Sequence, residues 1–196
     1  MNADSLSTWF LPALATVNER FRVQFRLHRD DQERTALLLE AGTVMAAVTA
    51  DPSAVSGCSV EYIGTMQYTA HASRSFVRRW FPDGATADEF QRAPIVDFDA
   101  HDVLQTRFLA QQGVERTAPH HIISASGEFC RAISLGLGWG MLLPSQLLTL
   151  DDALVQLPGA PITTPLYWQQ WNLSSTLLDA VRESVFAAAH SAIDVV

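Results

Sequence analysis

Apolar residues recur along this chain in two alternating periods. Leu6, Phe10, Leu14 and Val17 stand at helical spacing, and Asp4 or Ser5 can cap the start, so residues 4–18 predict a helix. Pro12 has no N–H to donate and should kink that helix or make it restart. Residues 22–27 alternate polar and apolar, the period of a strand. Residues 30–40 return to helix, closed by Gly42, and the apolar run 45–48 predicts a buried strand. A long strand over 60–72 follows, then a helix over 75–81 ended by the turn residues Pro82-Asp83-Gly84. Beyond it come a strand at 95–98, a helix over 102–112, a strand at 121–123 and a helix over 126–135. Strands at 141–143 and 166–168 precede a closing helix over 174–193, which carries Leu177, Leu178, Val181, Val185 and Phe186 on one face.

Strands alternating with helices predict parallel sheets covered on both faces. The middle of the chain holds one strand–helix set and its two ends hold another. The predicted fold is therefore α/β with two Rossmann-like subdomains: residues 1–68 with 168–196, and residues 69–167. Two such sheets joined by two chain crossings predict a ligand cleft between them, at the carboxyl ends of the strands. Proteins that clamp a small molecule share this arrangement with some enzymes, so fold alone does not choose a function.

Composition narrows the choice. At 48% hydrophobic and 17% charged residues over 196 positions, the chain can build one large core or two small ones. Thirteen basic against 21 acidic residues leave a net charge of −8, which disfavours this segment as a DNA-contacting surface. Every basic residue is arginine; with no lysine, Schiff-base chemistry, pyridoxal phosphate attachment and the P-loop lysine are excluded. Cys58 and Cys130 form no spaced pair and fit a reducing compartment. No apolar run nears the roughly 20 residues of a membrane span, and the opening MNADSLST has neither basic nor apolar leader character, so the expectation is a cytoplasmic protein.

Five stretches carry candidate chemistry. Gly136-Leu137-Gly138-Trp139-Gly140 resembles a phosphate loop, but it follows a helix and precedes a strand, the reverse of a dinucleotide loop, so a helix end and tight turn is the expected role. His120-His121 would point to opposite faces of a strand, and no other histidine pair has ligand spacing; no metal or cofactor is expected. Ser124-Ala125-Ser126-Gly127 lies at a strand-to-helix junction with no nucleophile-elbow pattern, so it is expected to be a helix N-cap, either as plain capping or with free backbone N–H groups that face the cleft and receive a carboxylate. Asp97-Phe98-Asp99-Ala100-His101-Asp102 ends a strand and opens a helix; its carboxylates either pair with a cationic ligand or cap the helix. The opening Asp4-Ser5-Leu6-Ser7-Thr8-Trp9 is either a capping segment with Trp9 in the core or a recognition segment at the cleft edge.

That opening, continued as Phe10-Leu11-Pro12-Ala13-Leu14, resembles the start of the effector-binding domain of LysR-type transcriptional regulators, in the LysG/ArgP branch that controls export of basic amino acids. The resemblance runs on through Phe81-Pro82-Asp83-Gly84, Ala93-Pro94-Ile95-Val96, Phe98-Asp99, His121-Ile122 and Leu166-Tyr167-Trp168, and so covers the whole chain in order. It implies a periplasmic-binding-protein-like fold of type 2, no enzymatic activity, and an effector (lysine, arginine or histidine) held between the subdomains. By position it places Asp4, Ser5, Thr8 and Trp9 at the ligand from the first subdomain and Asp97, Asp99 and Ser126 from the second. The α-carboxylate would meet helix N-termini, and the cationic end would meet Asp4, Asp97 or Asp99.

The resemblance also implies a homodimer or tetramer, formed with help from residues 22–41 and 67–81, and DNA contact only through an N-terminal winged helix-turn-helix that these residues do not include. The family's first effector-domain strand would stand ahead of Asp4, so the first subdomain is expected to lack a central strand and to leave a strand edge exposed. The alternative expectation is a solute-binding protein for an amino-acid-like ligand.

Overall fold

The protein, seen here as a computed structural model, is described over residues 1–29, 32–150 and 154–193. Helix α1 (Ala3–Ser5) passes through a π-helical turn (Leu6–Phe10) into α2 (Leu11–Phe21), and α3 (Gln32–Glu40) and strand β1 (Ala46–Thr49) follow. The long strand β2 (Cys58–Ser73) leads to α4 (Arg74–Trp80), α5 (Ala87–Phe90), β3 (Ile95–Asp97) and α6 (Leu104–Gln111). Then come β4 (His120–Ile122), α7 (Ser126–Ser134), β5 (Gly140–Leu142), α8 (Pro144–Leu147), β6 (Leu154–Gln156), β7 (Ile162–Trp171) and α9 (Thr176–Ala192). The chain divides into two compact units, one of residues Met1–Met66 and Thr164–Val196, the other of Gln67–Thr163. The chain passes from one unit to the other along β2 and returns along β7.

In the first unit, β1 pairs antiparallel with β7 from Ala46↔Gln170 to Thr49↔Tyr167. Helices α2 and α9 pack together, and the Ser184 hydroxyl donates to the Ala13 carbonyl across that contact at 2.8 Å. Ser175 starts α9 by accepting from the Leu178 N–H at 3.3 Å. Leu39, Ala47, Val55 and Cys58 form a buried cluster beside Trp171, whose indole N–H donates to the Leu39 carbonyl at 3.1 Å. Gln169 braces the loop after β1: its amide nitrogen donates to the Asp51 and Ser53 carbonyls, and its oxygen accepts from the Val55 N–H.

In the second unit, β3 and β4 run parallel, from Ile95↔His120 to Asp97↔Ile122. On its other edge β3 meets Trp139, with Val96 N–H donating to the Trp139 carbonyl at 2.9 Å and Trp139 N–H to the Pro94 carbonyl at 3.1 Å. Strand β2 pairs antiparallel with both β5 and β6. Val96, Phe129, Cys130, Ala132, Ile133 and Leu142 form one buried cluster. Phe90, Phe108 and Trp139 form an aromatic one, with ring centroids 5.4–5.6 Å apart.

Two expectations need correction. The sheets are mixed, not all parallel, because the long strands that cross between the units, and the strands that pair with them, run antiparallel. Residues 22–27 join no ladder. Alternation reports which side chains meet an apolar surface, whereas a strand also needs a neighbouring backbone to pair with. The start of the second helix, expected at residue 30, falls outside the described residues; α3 is described from Gln32. The glycine-rich stretch has a packing role. Gly136 ends α7 with φ +81°, and a Cβ on Gly138 would stand 2.8 Å from the Pro94 carbonyl oxygen and 2.9 Å from the Ile95 carbonyl carbon. Those contacts are with backbone, so they yield only if β3 shifts. Gly138→Ala should therefore destabilise the protein by about 1–3 kcal/mol. Urea denaturation measures this, and an unchanged midpoint would refute the packing role.

Candidate functional site

Each unit presents one group of the residues singled out by sequence. In the first, Asp4, Ser5, Thr8 and Trp9 lie in one short helical segment, Asp4 and Ser5 in α1 and Thr8 and Trp9 in the π turn. Asn2 caps it, its side-chain oxygen accepting from the Ser5 N–H at 2.9 Å. Pro12 cannot donate to the Thr8 carbonyl as a regular α-helix would require, and the helix widens into the π turn at Leu6–Phe10 just ahead of it. The restart expected from Pro12 takes this form. The Thr8 hydroxyl donates back to the Asp4 carbonyl at 2.6 Å, and the Ser7 hydroxyl to the same oxygen at 3.2 Å.

Ser5 is wholly buried and Trp9 is 3% exposed, yet neither the Ser5 hydroxyl nor the Trp9 indole N–H has a hydrogen-bond partner among the described residues. A buried polar atom without a partner typically costs about 1–3 kcal/mol, so two in one segment mark a place where the fold has given up stability. Trp9 also meets Phe10 edge to face at 5.7 Å, which fixes its ring against the core. Trp9 thus belongs to the core, and its indole N–H is buried there without a partner among the described residues.

The second group stands at the carboxyl ends of β3 and β4, which are neighbours in a parallel pair; ligands of open α/β sheets bind at such ends. Asp97 ends β3, is 2% exposed, and forms an ion pair with Arg116 through Oδ2, while Arg116 also donates to the Thr106 hydroxyl at 2.9 Å. Asp97 Oδ1 and Gln105 Oε1 are buried acceptors without donors among the described residues. Burial pushes the Asp97 carboxyl above the usual carboxylate range, against the opposing pull of the Arg116 guanidinium.

Asp102 is used structurally, accepting from the Phe98 N–H at 2.9 Å and the Leu104 N–H at 3.0 Å, and so closes the loop and starts α6. Asp99 accepts from the His101 N–H at 2.8 Å through Oδ1 and is partly exposed. Of the three carboxylates here, Asp99 is thus the least committed to the fold. His120 and His121 are both exposed on β4, and among the described residues no group of three His, Cys, Asp or Glu side chains is placed to hold a metal.

The helix start expected within residues 124–127 is there, at Ser126. Ala125, in extended conformation, holds the N-cap position, and Ser126 and Gly127 are the first helical residues. Alanine cannot accept from the first-turn amides, a deficit of typically about 1 kcal/mol against serine at that position. The first-turn N–H groups of α7 consequently have no side-chain acceptor at the cap, and Ser126 is half-buried beside exposed Gly127. Sequence reasoning missed Arg116 as the partner of Asp97 and Gln169 as the brace of the 51–55 loop. A polar residue inside an apolar strand run was the signal for Gln169; nothing signalled the Asp97–Arg116 pairing, which spans 19 positions.

No protein-family model matches the chain. It is 39% identical over 197 residues to the lysine export transcriptional regulatory protein LysG of Corynebacterium efficiens, covering 97% of this chain and 67% of that protein. Its fold matches the C-terminal domains of a LysR family protein from Agrobacterium tumefaciens at a TM-score of 0.93, with 34% identity and coverage of 100% and 96% of the two chains. It also matches full-length LysG from Corynebacterium glutamicum with bound effector Arg, at a TM-score of 0.88 and 34% identity, covering 99% of this chain and 68% of that one. The chain spans 62–67% of the length of the curated relatives it matches. Among the described residues no helix is long and apolar enough to cross a membrane.

The buried Asp97 makes one test of this description. With its carboxyl raised in the folded state, the folded protein keeps that proton to higher pH than the unfolded chain does. The contribution of Asp97 is therefore most favourable below the ordinary carboxylate range and is lost as pH rises through the raised value. Measured against Asp97→Asn, the parent protein should lose relative stability as pH rises from the ordinary carboxylate range, about pH 4, toward neutrality. Chemical denaturation across that range reads the difference; a constant difference, or one of opposite slope, would show that Arg116 and not burial governs the carboxyl.

Proposed function

For a chain that belongs to the LysR family of transcriptional regulators, in its LysG/ArgP branch, we propose the role of effector-sensing domain for a basic amino acid, lysine, arginine or histidine. The relatives are transcriptional regulators, not enzymes. The observation that carries the ligand class lies in the second unit. The side-chain-uncapped N-terminus of α7 and the carboxylate of Asp99 follow adjacent parallel strands. The first suits an α-carboxylate, because unpaired donors and the helix dipole both favour negative charge. The second suits an ammonium or guanidinium. Ser5, Thr8 and Trp9 supply polar groups from the first unit, where two buried polar atoms await partners. The effector-bound relative supports arginine as one member of the class.

On this reading the chain holds the amino acid and the protein controls transcription of an amino-acid exporter from the cytoplasm, as a homo-oligomer. DNA contact falls to residues outside this chain, which is acidic overall. A ligand shifts such a regulator only as far as it favours one arrangement over another.

Isothermal titration calorimetry against arginine, lysine, histidine and leucine tests the proposal. A basic amino acid should bind and leucine should not. Asp99→Asn and Thr8→Val should each weaken binding about tenfold or more, the scale of one lost charge-assisted contact. Unchanged affinity in both variants would reject the residue assignment, and absence of binding by the folded chain would reject the sensing role.

A further inference from the structure

One arginine closes the loop that carries Asp99. Residues 98–103 join the end of β3 to the start of α6, and Arg116 lies further on, in the stretch between α6 and β4. Its guanidinium reaches back to both sides of the loop. One nitrogen pairs with Asp97 Oδ2 at the end of β3, and another donates to the Thr106 hydroxyl, in the first turn of α6, at 2.9 Å. A guanidinium suits this bridging, because it is planar and its donors point in different directions at fixed angles. The Asp97 side chain is 3% exposed and that of Arg116 23%, so solvent and salt screen the pair far less than a surface pair. Gln105 adds a further tie between α6 and β3, its amide nitrogen donating to the Val96 carbonyl at 3.0 Å.

The same arginine sorts the charges. Three carboxylates stand within six residues here: Asp97, Asp99 and Asp102. Asp102 accepts two backbone N–H groups inside the loop, and Arg116 takes Asp97. Asp99 accepts from the His101 N–H through one oxygen and is the carboxylate left for a cation. The other end of the site does not hang on Arg116. Strand β4, from which α7 follows, is held to β3 by its ladder, and the Ile123 N–H donates to the Asp97 carbonyl at 3.0 Å. Loss of Arg116 would therefore free the Asp99 loop and leave the start of α7 in place.

We propose that Arg116 is a positioning residue for the cationic end of the effector: by bridging Asp97 and Thr106 it holds residues 98–103 in the arrangement in which Asp99 meets the ligand. Arg116 touches no ligand itself. Its effect is on conformational freedom. A loop tied at both ends has fewer arrangements to lose when a guanidinium or ammonium docks, so more of the interaction appears as affinity. Arg116 thereby sets how strongly a basic amino acid is preferred to a neutral one of the same shape. This inference rests on the reading of Asp99 and the N-terminus of α7 as the two contacts of the effector.

The test is calorimetric titration with arginine and with citrulline, which replaces the guanidinium by a neutral ureido group of nearly the same shape. The parent chain should prefer arginine by about tenfold or more, the scale of one charge-assisted contact. Arg116→Met should weaken arginine about tenfold and leave citrulline within about twofold, so that the preference collapses. Thr106→Val cuts one arm of the bridge at an exposed position and keeps the ion pair. It should weaken arginine about threefold, again without affecting citrulline, and it carries the test if circular dichroism shows that Arg116→Met does not fold. Equal weakening of both ligands is what a merely structural arginine gives, and it overturns the proposal. Unchanged arginine affinity in both variants overturns it as well. So does tighter arginine binding by Arg116→Met, which would make Arg116 a competitor of the effector for Asp97. A folded parent chain without preference for arginine rejects the ligand reading and this inference with it, so the parent titration separates the two failures.

Discussion

Backbone pairing of one short strand underlies the second unit. Strand β3 has only three residues, yet it is hydrogen-bonded on both edges, to β4 on one side and to Trp139 on the other. A buried N–H or carbonyl without a partner is costly, so those bonds leave the strand little freedom. Everything that follows β3 and β4 inherits that position. The loop with Asp99 leaves one strand, the start of α7 leaves the other, and the parallel register sets them side by side. Gly138 lets the Trp139 backbone approach closely enough to complete the pairing, and the Trp139 ring packs against Phe90 and Phe108.

The same constraint explains the contrast with the first unit. There residues 22–28 carry the alternation of a strand without the neighbour that would make them one. Side-chain pattern and backbone pairing are separate requirements, and this chain meets the first at a place where it does not meet the second. The exposed Phe25, Leu27 and Met45 are the visible consequence.

Polar groups divide between those used by the fold and those left open. Asp97, Asp102, Gln105 and Gln169 are drawn into ion pairs, caps and loop braces. The Ser5 hydroxyl, the Trp9 indole N–H, Asp97 Oδ1 and Gln105 Oε1 are not paired among the described residues, and the Ala125 cap of α7 offers no side-chain acceptor, at a cost in stability that pairing or capping would remove. Proteins tolerate such costs where a ligand supplies the missing partner, and here the open groups sit on helix starts and strand ends, where backbone donors are already aligned.

Much of this was legible in the residues. Helical spacing located α2, α7 and α9, the break at Pro12 appeared as the π turn, and the opening string with Tyr167-Trp168 carried the family. The acidic, lysine-free composition and the helix-then-strand order around Gly136 needed no coordinates, because they depend on residue type and near neighbours alone. Three things did need them. Strand direction and pairing depend on which backbones meet, so the antiparallel crossing strands and the unpaired residues 22–27 were invisible to periodicity. Which carboxylate stays uncommitted depended on Arg116, 19 positions from Asp97, and on two backbone amides that hold Asp102. Which residue of 124–127 holds the cap of α7 depended on where the backbone turns helical, and it is Ala125, which has no side-chain acceptor. Local pattern determines which elements form; hydrogen bonds between residues distant in sequence, which no local pattern records, decide how each element is paired and which of its polar groups remain available.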